Sequence, residues 1–168
     1  MLVYKCAFDL YHCMFRIVKL LEACPNNEIS QERARIYDYY FSFPHRVYEN
    51  VKFVRGSGFT KSQFKTPQNN YLTIQDDKQT FFEMNKVFEG ATRCLAAYGV
   101  IDLHSLKSGC LKLSEQQKIN TSKEELTPID GVRARIVELF SGPFYDLPFS
   151  GDNGLKARTG LMDHRYDK

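Results

Sequence analysis

The stretch from Asp77 to Tyr98 constrains this chain most. Phe81, Met84, Val87, Phe88, Ala91, Cys94, Leu95 and Tyr98 recur there at three- and four-residue intervals. That spacing predicts one long amphipathic helix whose apolar stripe must be covered by other elements. Asp76-Asp77 places carboxylates at the positive end of its dipole, and Gly99 supplies a left-handed C-terminal cap. Three further stretches repeat the pattern. Asp9 caps a helix with Leu10, Cys13, Met14, Ile17, Leu20, Leu21 and Cys24 inward, ended by Pro25-Asn26-Asn27. Ser30 opens the next, with Ile36, Tyr39, Tyr40 and Phe43 inward and a stop at Pro44. Thr127-Pro128 starts the last, with Ile129, Val132, Ile136, Val137, Leu139 and Phe140 inward and Gly142-Pro143 at its end. With 168 residues, 43% apolar and 26% charged, one helical core is the expectation.

Strand signals are few. GVIDLHSLKSGCLKLSEQ predicts two short strands around Lys107-Ser108-Gly109, with Leu111 and Leu113 alternating, and NNYLTI at 69–74 reads as another short strand. A long helix followed at once by a small hairpin is the local pattern of a winged helix. The expected fold is therefore α-rich α+β: a winged-helix-like helical domain over residues 1–143 with a small β-hairpin, then an extended C-terminal tail over 144–168. Glycine, proline and mixed charge break the periodicity of that tail. Yet Phe144, Tyr145, Leu147, Phe149, Leu155 and Leu161 are too apolar for a merely solvated end. The tail over 144–168 is therefore read as docking on a partner chain; the alternative is that it wraps back over its own domain. If it docks, removing Gly151–Lys168 leaves the domain folded and weakens association.

The sequence holds no catalytic signature. Cys6, Cys13, Cys24, Cys94 and Cys110 are odd in number, scattered and without a C-x-x-C pair, so they read as reduced structural thiols. His12, His45, His104 and His164 lack the spacing of a zinc site. No G-x-S-x-G elbow, phosphate loop or dinucleotide fingerprint is present, and Gly56-Ser57-Gly58 reads as a turn. A hydrolase built on Asp76, Asp77 or Asp130 ranks last, because helix capping explains the first two. The expectation is a protein that is not an enzyme and uses no cofactor or metal. The longest apolar run, CLAAYGVI, falls short of the ~18 residues of a membrane span, and the N-terminus does not read as a signal peptide. The expected setting is the cytoplasm, with no membrane partner.

One segment departs in charge. His45–Pro67 carries Arg46, Lys52, Arg55, Lys61 and Lys65 against Glu49, a net +4 (five minus one) in a chain whose formal net charge is +3. Phe53, Phe59 and Phe64 interleave with these cations. In one reading Arg55, Lys61 and Lys65 hold DNA phosphates while the rings stack on bases. In the other it is a solvated loop whose aromatics anchor it to the core.

Four stretches, YHCMFRIVKLLE, RIYDYYFSFPHRV, AYGVIDLHSL and GLKARTGL, together resemble the small middle component of bacterial ABC-three-component defence systems, a group that includes the small subunit of Lamassu-type systems. The resemblance covers nearly the whole chain. It implies a non-catalytic accessory subunit that bridges an SMC/Rad50-like ATPase and an effector nuclease, acting on phage or plasmid DNA. It implies partner contacts at Tyr11, His12, Phe15 and Arg16 in the first motif and at Arg33 and Arg35 in the second, beside Asp38. In the tail it implies Leu155, Lys156, Arg158 and Leu161, within the run Gly154 to Leu161. Double-stranded DNA would be reached through the complex. Read without the resemblance, Arg16 pairs with Asp9 or Glu22, and His12 is a satisfied core histidine. The alternative function is a free-standing winged-helix DNA-binding regulator. Against it, the 77–98 helix balances Asp77, Glu83 and Glu89 with Lys78, Lys86 and Arg93.

Overall fold

Helices begin at the capping residues named above. The computed structural model describes residues 5–67, 74–117, 129 and 131–163. The Asp9 carboxylate accepts the His12 amide at 2.9 Å and opens α1 (Leu10–Ala23). Ser30 does the same for Arg33 at the start of α2 (Gln31–Ser42). Asp76 takes the amides of Lys78 and Gln79 at the head of α4 (Asp77–Ala97). Each cap satisfies amides that the first turn leaves unpaired, worth about 1 kcal/mol apiece. Pro44 stops α2, as expected. It also stands at the first position of a further helix, α3 (Pro44–Asn50), where its missing amide costs nothing. Further helices are α5 (Leu103–Lys107), α6 (Gly131–Ser141) and α7 (Leu155–Thr159).

Helices α1, α2, α4 and α6 pack on one another around the core. α1 contributes Cys13, Ile17, Leu20 and Leu21, α4 contributes Phe81, Met84, Phe88, Ala91 and Leu95, and α6 contributes Ile136, Leu139 and Phe140. The α1–α4 approach is close: a Cβ at Gly90 would lie 3.3 Å from the Leu10 side chain. α2 turns almost its whole circumference inward, burying Ala34, Ile36, Tyr37, Tyr39, Tyr40 and Phe41. The rings of Tyr37 and Tyr40 meet Phe140 at 5.8 and 6.3 Å between centroids, and Phe140 meets Phe144 edge-on at 5.4 Å. Such pairs add ~0.5–1.5 kcal/mol beyond the area they bury. Tyr98, expected on the core stripe of α4, is 72% exposed. The helix ends at Ala97, and Gly99 in the left-handed region (φ 70°) turns the chain away before Tyr98 can face inward.

The antiparallel pairing is present, and its strands come from two distant segments. β1 (Glu28–Ser30) pairs with β2 (Cys110–Lys112) in the register Glu28–Lys112, Ile29–Leu111 and Ser30–Cys110. Ile29 and Leu111 are buried, while Glu28 and Lys112 form an ion pair at 3.2 Å on the open face. The local hairpin expected around Lys107–Gly109 takes a reduced form. Ile101 bridges Leu113, with Asp102 donating to the Lys112 carbonyl and Ser114 to that of Val100. The loop between is helix α5, because the Asp102 carboxylate caps it through the Ser105 amide and hydroxyl. The strand read at 69–74 and the helix start at Thr127-Pro128 lie outside the described residues, Ile74 aside, as do Asp130 and His164.

The described part of the tail wraps back over the domain. Phe144, Leu155 and Leu161 are buried. Arg33 donates to the carbonyls of Phe144 (2.9 Å) and Leu147, and its guanidinium lies 5.7 Å from the Phe149 centroid. The Tyr40 hydroxyl donates to the Thr159 carbonyl at 2.7 Å. Lys52 and Arg158 exchange contacts: the Lys52 amide reaches the Arg158 carbonyl at 2.9 Å, and the Arg158 guanidinium returns to the carbonyls of Lys52 and Phe53. Gly160 (φ 68°) ends α7 with a left-handed cap.

Candidate functional site

The sequence motifs divide into side chains the fold consumes and side chains it leaves outside. Arg16 belongs to the first group. It projects from α1 into the protein and meets Asp38 of α2, with Nε 2.5 Å from Oδ1 and Nη2 3.3 Å from Oδ2. Neither Asp9 nor Glu22 is its partner: Asp9 is busy capping α1, and Glu22 faces Lys19 at 3.7 Å. The remaining guanidinium protons go to the carbonyls of Cys6 and Ala7, which tie down the turn before α1. Both members of the pair are nearly inaccessible. Burial pushes the Asp38 carboxyl upward, and the Arg16 charge and hydrogen bonds pull it back. Burial likewise works against the Arg16 charge, but Asp38 outweighs it and holds the guanidinium above its ordinary value.

The same environment settles the thiols. Burial, reinforced by the Asp38 charge, drives Cys13 far up, and burial alone pushes Cys24 up to about 12. A thiol so raised carries almost no thiolate at neutral pH and is chemically inert. In the native protein a thiol-reactive disulfide reagent is therefore expected to label exposed Cys6 quickly and to leave Cys13 and Cys24 untouched until denaturant is added. Mass spectrometry of the labelled peptides reads this, and native labelling of Cys13 would contradict the packing of α1 on α2.

Other motif residues are also internal. Arg33 clasps the tail, Arg35 lies over the Phe81 ring at 4.6 Å, and Arg158 secures the 52–53 backbone. Leu155 and Leu161 sit in the core, so neither is offered to a partner; Lys156 lies over the Phe149 ring at 5.2 Å. Asp76 and Asp77 have structural work: Asp76 caps α4, and Asp77 accepts from the Tyr39 hydroxyl and the Asn50 side-chain amide at 2.9 Å and forms an ion pair with Arg46 at 2.8 Å. Gly56 and Gly58 hold positive φ of 79° and 80°, the geometry of a turn.

Of the large apolar motif residues, Tyr98 and Leu103 of the third motif stay outside, 72% and 53% exposed, and so do two on α1. Tyr11 is 73% exposed and Phe15 37%, one helical turn apart on the same face. His12 stands beside them, half exposed and hydrogen-bonded to Asp9 at 2.9 Å. Next to this face opens a groove of about 210 Å³, walled by Cys6, Ala7, His12, Phe15, Phe41 and Arg133, with Arg16 and Ser42 completing the lining. Three of the four first-motif residues, His12, Phe15 and Arg16, therefore meet at one groove, with Tyr11 at its side. Phe41 and Arg133 were not foreseen. Phe41 lies inside the second motif and was hidden by its aromatic neighbours. Arg133 reaches the groove by donating to the Phe41 carbonyl at 3.2 Å, a contact no side-chain pattern encodes. The volume suits one large side chain better than a cofactor, for which pockets of ~300–1,000 Å³ are usual. Among the described residues no three His, Cys, Asp or Glu side chains converge as a metal site requires, and no helix is long and apolar enough to cross a membrane.

A family model described as ABC-three component (ABC-3C) system Middle Component 5 matches residues 2–167. The chain belongs to that family. No curated protein and no solved structure matches it. The family match runs through α1 with its exposed aromatics and through the folded-back tail alike. As a middle component the chain is one member of a system of several components, and its surfaces are to be read with partner subunits in view.

Proposed function

We propose that this middle component is a non-catalytic accessory subunit that bridges an SMC/Rad50-like ABC ATPase and an effector nuclease in bacterial defence against phage or plasmid DNA. Membership of a three-component family supports a role among partners. The observation that carries the reading is the α1 face, where Tyr11 and Phe15 stay exposed beside a groove although Arg16 of the same motif is buried in the fold. Large aromatic side chains left outside in this way are the usual anchors of protein interfaces. The winged-helix-like description of the domain belongs to the same proposal. Its support is the order α4, α5, β2, with the Ile101–Leu113 bridge closing the loop after the long helix.

Co-purification of the three components from a co-expressing strain tests the surface. Replacing Tyr11 and Phe15 together by Ser is expected to weaken association at least about thirtyfold, the loss of one hot spot of ~2 kcal/mol. The thermal melt of the isolated chain should fall only modestly, because Tyr11 is 73% exposed and Phe15 lines the groove rather than the core. Phe82, 73% exposed on α4, provides the control: Phe82→Ser is expected to leave association intact. Full association of the Tyr11/Phe15 variant would remove α1 from the interface.

A further inference from the structure

We infer that residues 51–67 form a preset platform for the phosphate backbone of double-stranded nucleic acid, gripped by Lys52, Arg55, Lys61 and Lys65 without base contacts. The run VKFVRGSGFTKSQFKTP holds these four cations and no carboxylate. All four are exposed. The acid just before the run, Glu49, is already paired with Arg46.

The three phenylalanines decide what kind of site this is. Phe64 is fully buried, Phe53 stacks on it at 5.3 Å and Phe59 at 6.2 Å, and Phe53 continues to Phe144 at 6.4 Å. The ladder of rings faces the domain. In extended backbone successive side chains point to opposite sides, so Lys52 is turned outward as Phe53 is turned in. Rings engaged in this way are not free to stack on splayed bases, which single-strand binding uses. They are equally unable to insert into a lipid interface, which membrane adsorption by a cationic segment uses. What is left is charge carried on an ordered backbone.

The backbone of this loop is ordered before any ligand arrives. Gly56 and Gly58 set the turn, and Thr60 and Gln63 cap one another across the short helical turn Lys61–Phe64. Arg158 pins the carbonyls of Lys52 and Phe53 from the tail. A loop ordered in advance loses little entropy on binding. Three of the four cations are lysines, compact point charges that grip phosphate without the fork geometry that reads guanine. Duplex backbone, with one charge per ~1.7 Å of axis, is the densest regular array such a platform could meet.

Fluorescence anisotropy of the full chain with a labelled DNA duplex tests this as a function of salt. Four phosphate contacts give an expected slope of about −3 to −4 in log affinity against log salt. Duplexes of unrelated sequence should bind alike, and single strands more weakly. The variant K52Q/R55Q/K61Q/K65Q should lose at least about tenfold in affinity at ~50 mM salt with an unchanged thermal melt. Should that variant fold poorly, Lys61→Gln and Lys65→Gln alone are each expected to lower the slope by about one. An RNA duplex separates the two sources of this backbone: equal binding assigns the platform to phosphate charge alone, and preference for DNA assigns it to the B-form spacing. No salt-dependent binding, binding unaltered in the variants, tighter binding of single strands, or capture by phosphatidylglycerol vesicles that duplex cannot displace would each overturn it. The assay needs no partner subunit, so its failure leaves the α1 interface standing, and the reverse holds too.

Discussion

Asp38→Ala is expected to destabilise the protein by about 3–5 kcal/mol, because it strands the Arg16 guanidinium in the core with its charge unmatched. The two residues are 22 positions apart and join α1 to α2, while the other protons of Arg16 hold the carbonyls of Cys6 and Ala7. Arg16→Ala should be comparably damaging, since it leaves the Asp38 carboxylate without its counter-charge and loosens the turn before α1. The double replacement Arg16→Met with Asp38→Leu should cost much less than the sum of the singles. Removing both charges also removes both desolvation penalties, and apolar substitutes of similar size can be near neutral. Urea denaturation of the four proteins measures this directly. Single-site costs below about 1 kcal/mol, the range of solvent-exposed ion pairs, would contradict a buried pair.

The second large effect concerns the C-terminus. Deleting Gly151–Lys168 removes Leu155 and Leu161 from the core, the Tyr40–Thr159 hydrogen bond and the Arg158 contacts with 52–53. Truncating one buried leucine to alanine costs about 2–5 kcal/mol. Two lost outright would exhaust much of the ~5–15 kcal/mol that stabilises a typical domain. The truncated chain should therefore melt far lower, or fail to give a cooperative transition by circular dichroism. Leu155→Ala, with a smaller and measurable loss, gives the graded version of the same test. A truncated chain as stable as the intact one, defective in association alone, would restore the docking reading of the tail.

The contrast between tail and helices shows what the sequence could and could not disclose. Helix periodicity and caps act within a few residues, so Asp9, Ser30 and Asp76 announced their helices, and the stripes of α1, α2 and α6 pointed to the core they build. Pairings between distant segments left no such mark. Leu111 and Leu113 alternate as a strand should, but nothing local says that β2 lies against Glu28–Ser30. Arg33 and Arg158 bind main-chain carbonyls, which every residue carries, so their composition alone could not separate a clasp from a partner contact. Arg16 looked paired within its own helix because near neighbours are visible in sequence and Asp38 is not near. The basic loop was open to two readings. Its rings turn out to be anchors, and that is legible only once Phe53, Phe59 and Phe64 are seen on one another.

The first-motif aromatics gained meaning in the opposite direction. Tyr11 and Phe15 fall between the apolar positions that α1 buries, and only the family resemblance marks them for a partner. The fold turns them out, one turn apart, with Phe15 on the wall of a groove. An exposed aromatic pair on a chain that belongs to a multi-component family is the physical basis for placing a partner there.

Tagged purification of the chain at native expression level, followed by intact-mass measurement of the particle it elutes in, tests the bridging role most directly. The expected result is one assembly containing this chain, a large ABC ATPase and an effector nuclease, which the Tyr11→Ser/Phe15→Ser variant fails to join. A chain that elutes alone, with neither an ATPase nor a nuclease beside it, would contradict the bridging role and favour a free-standing DNA-binding regulator.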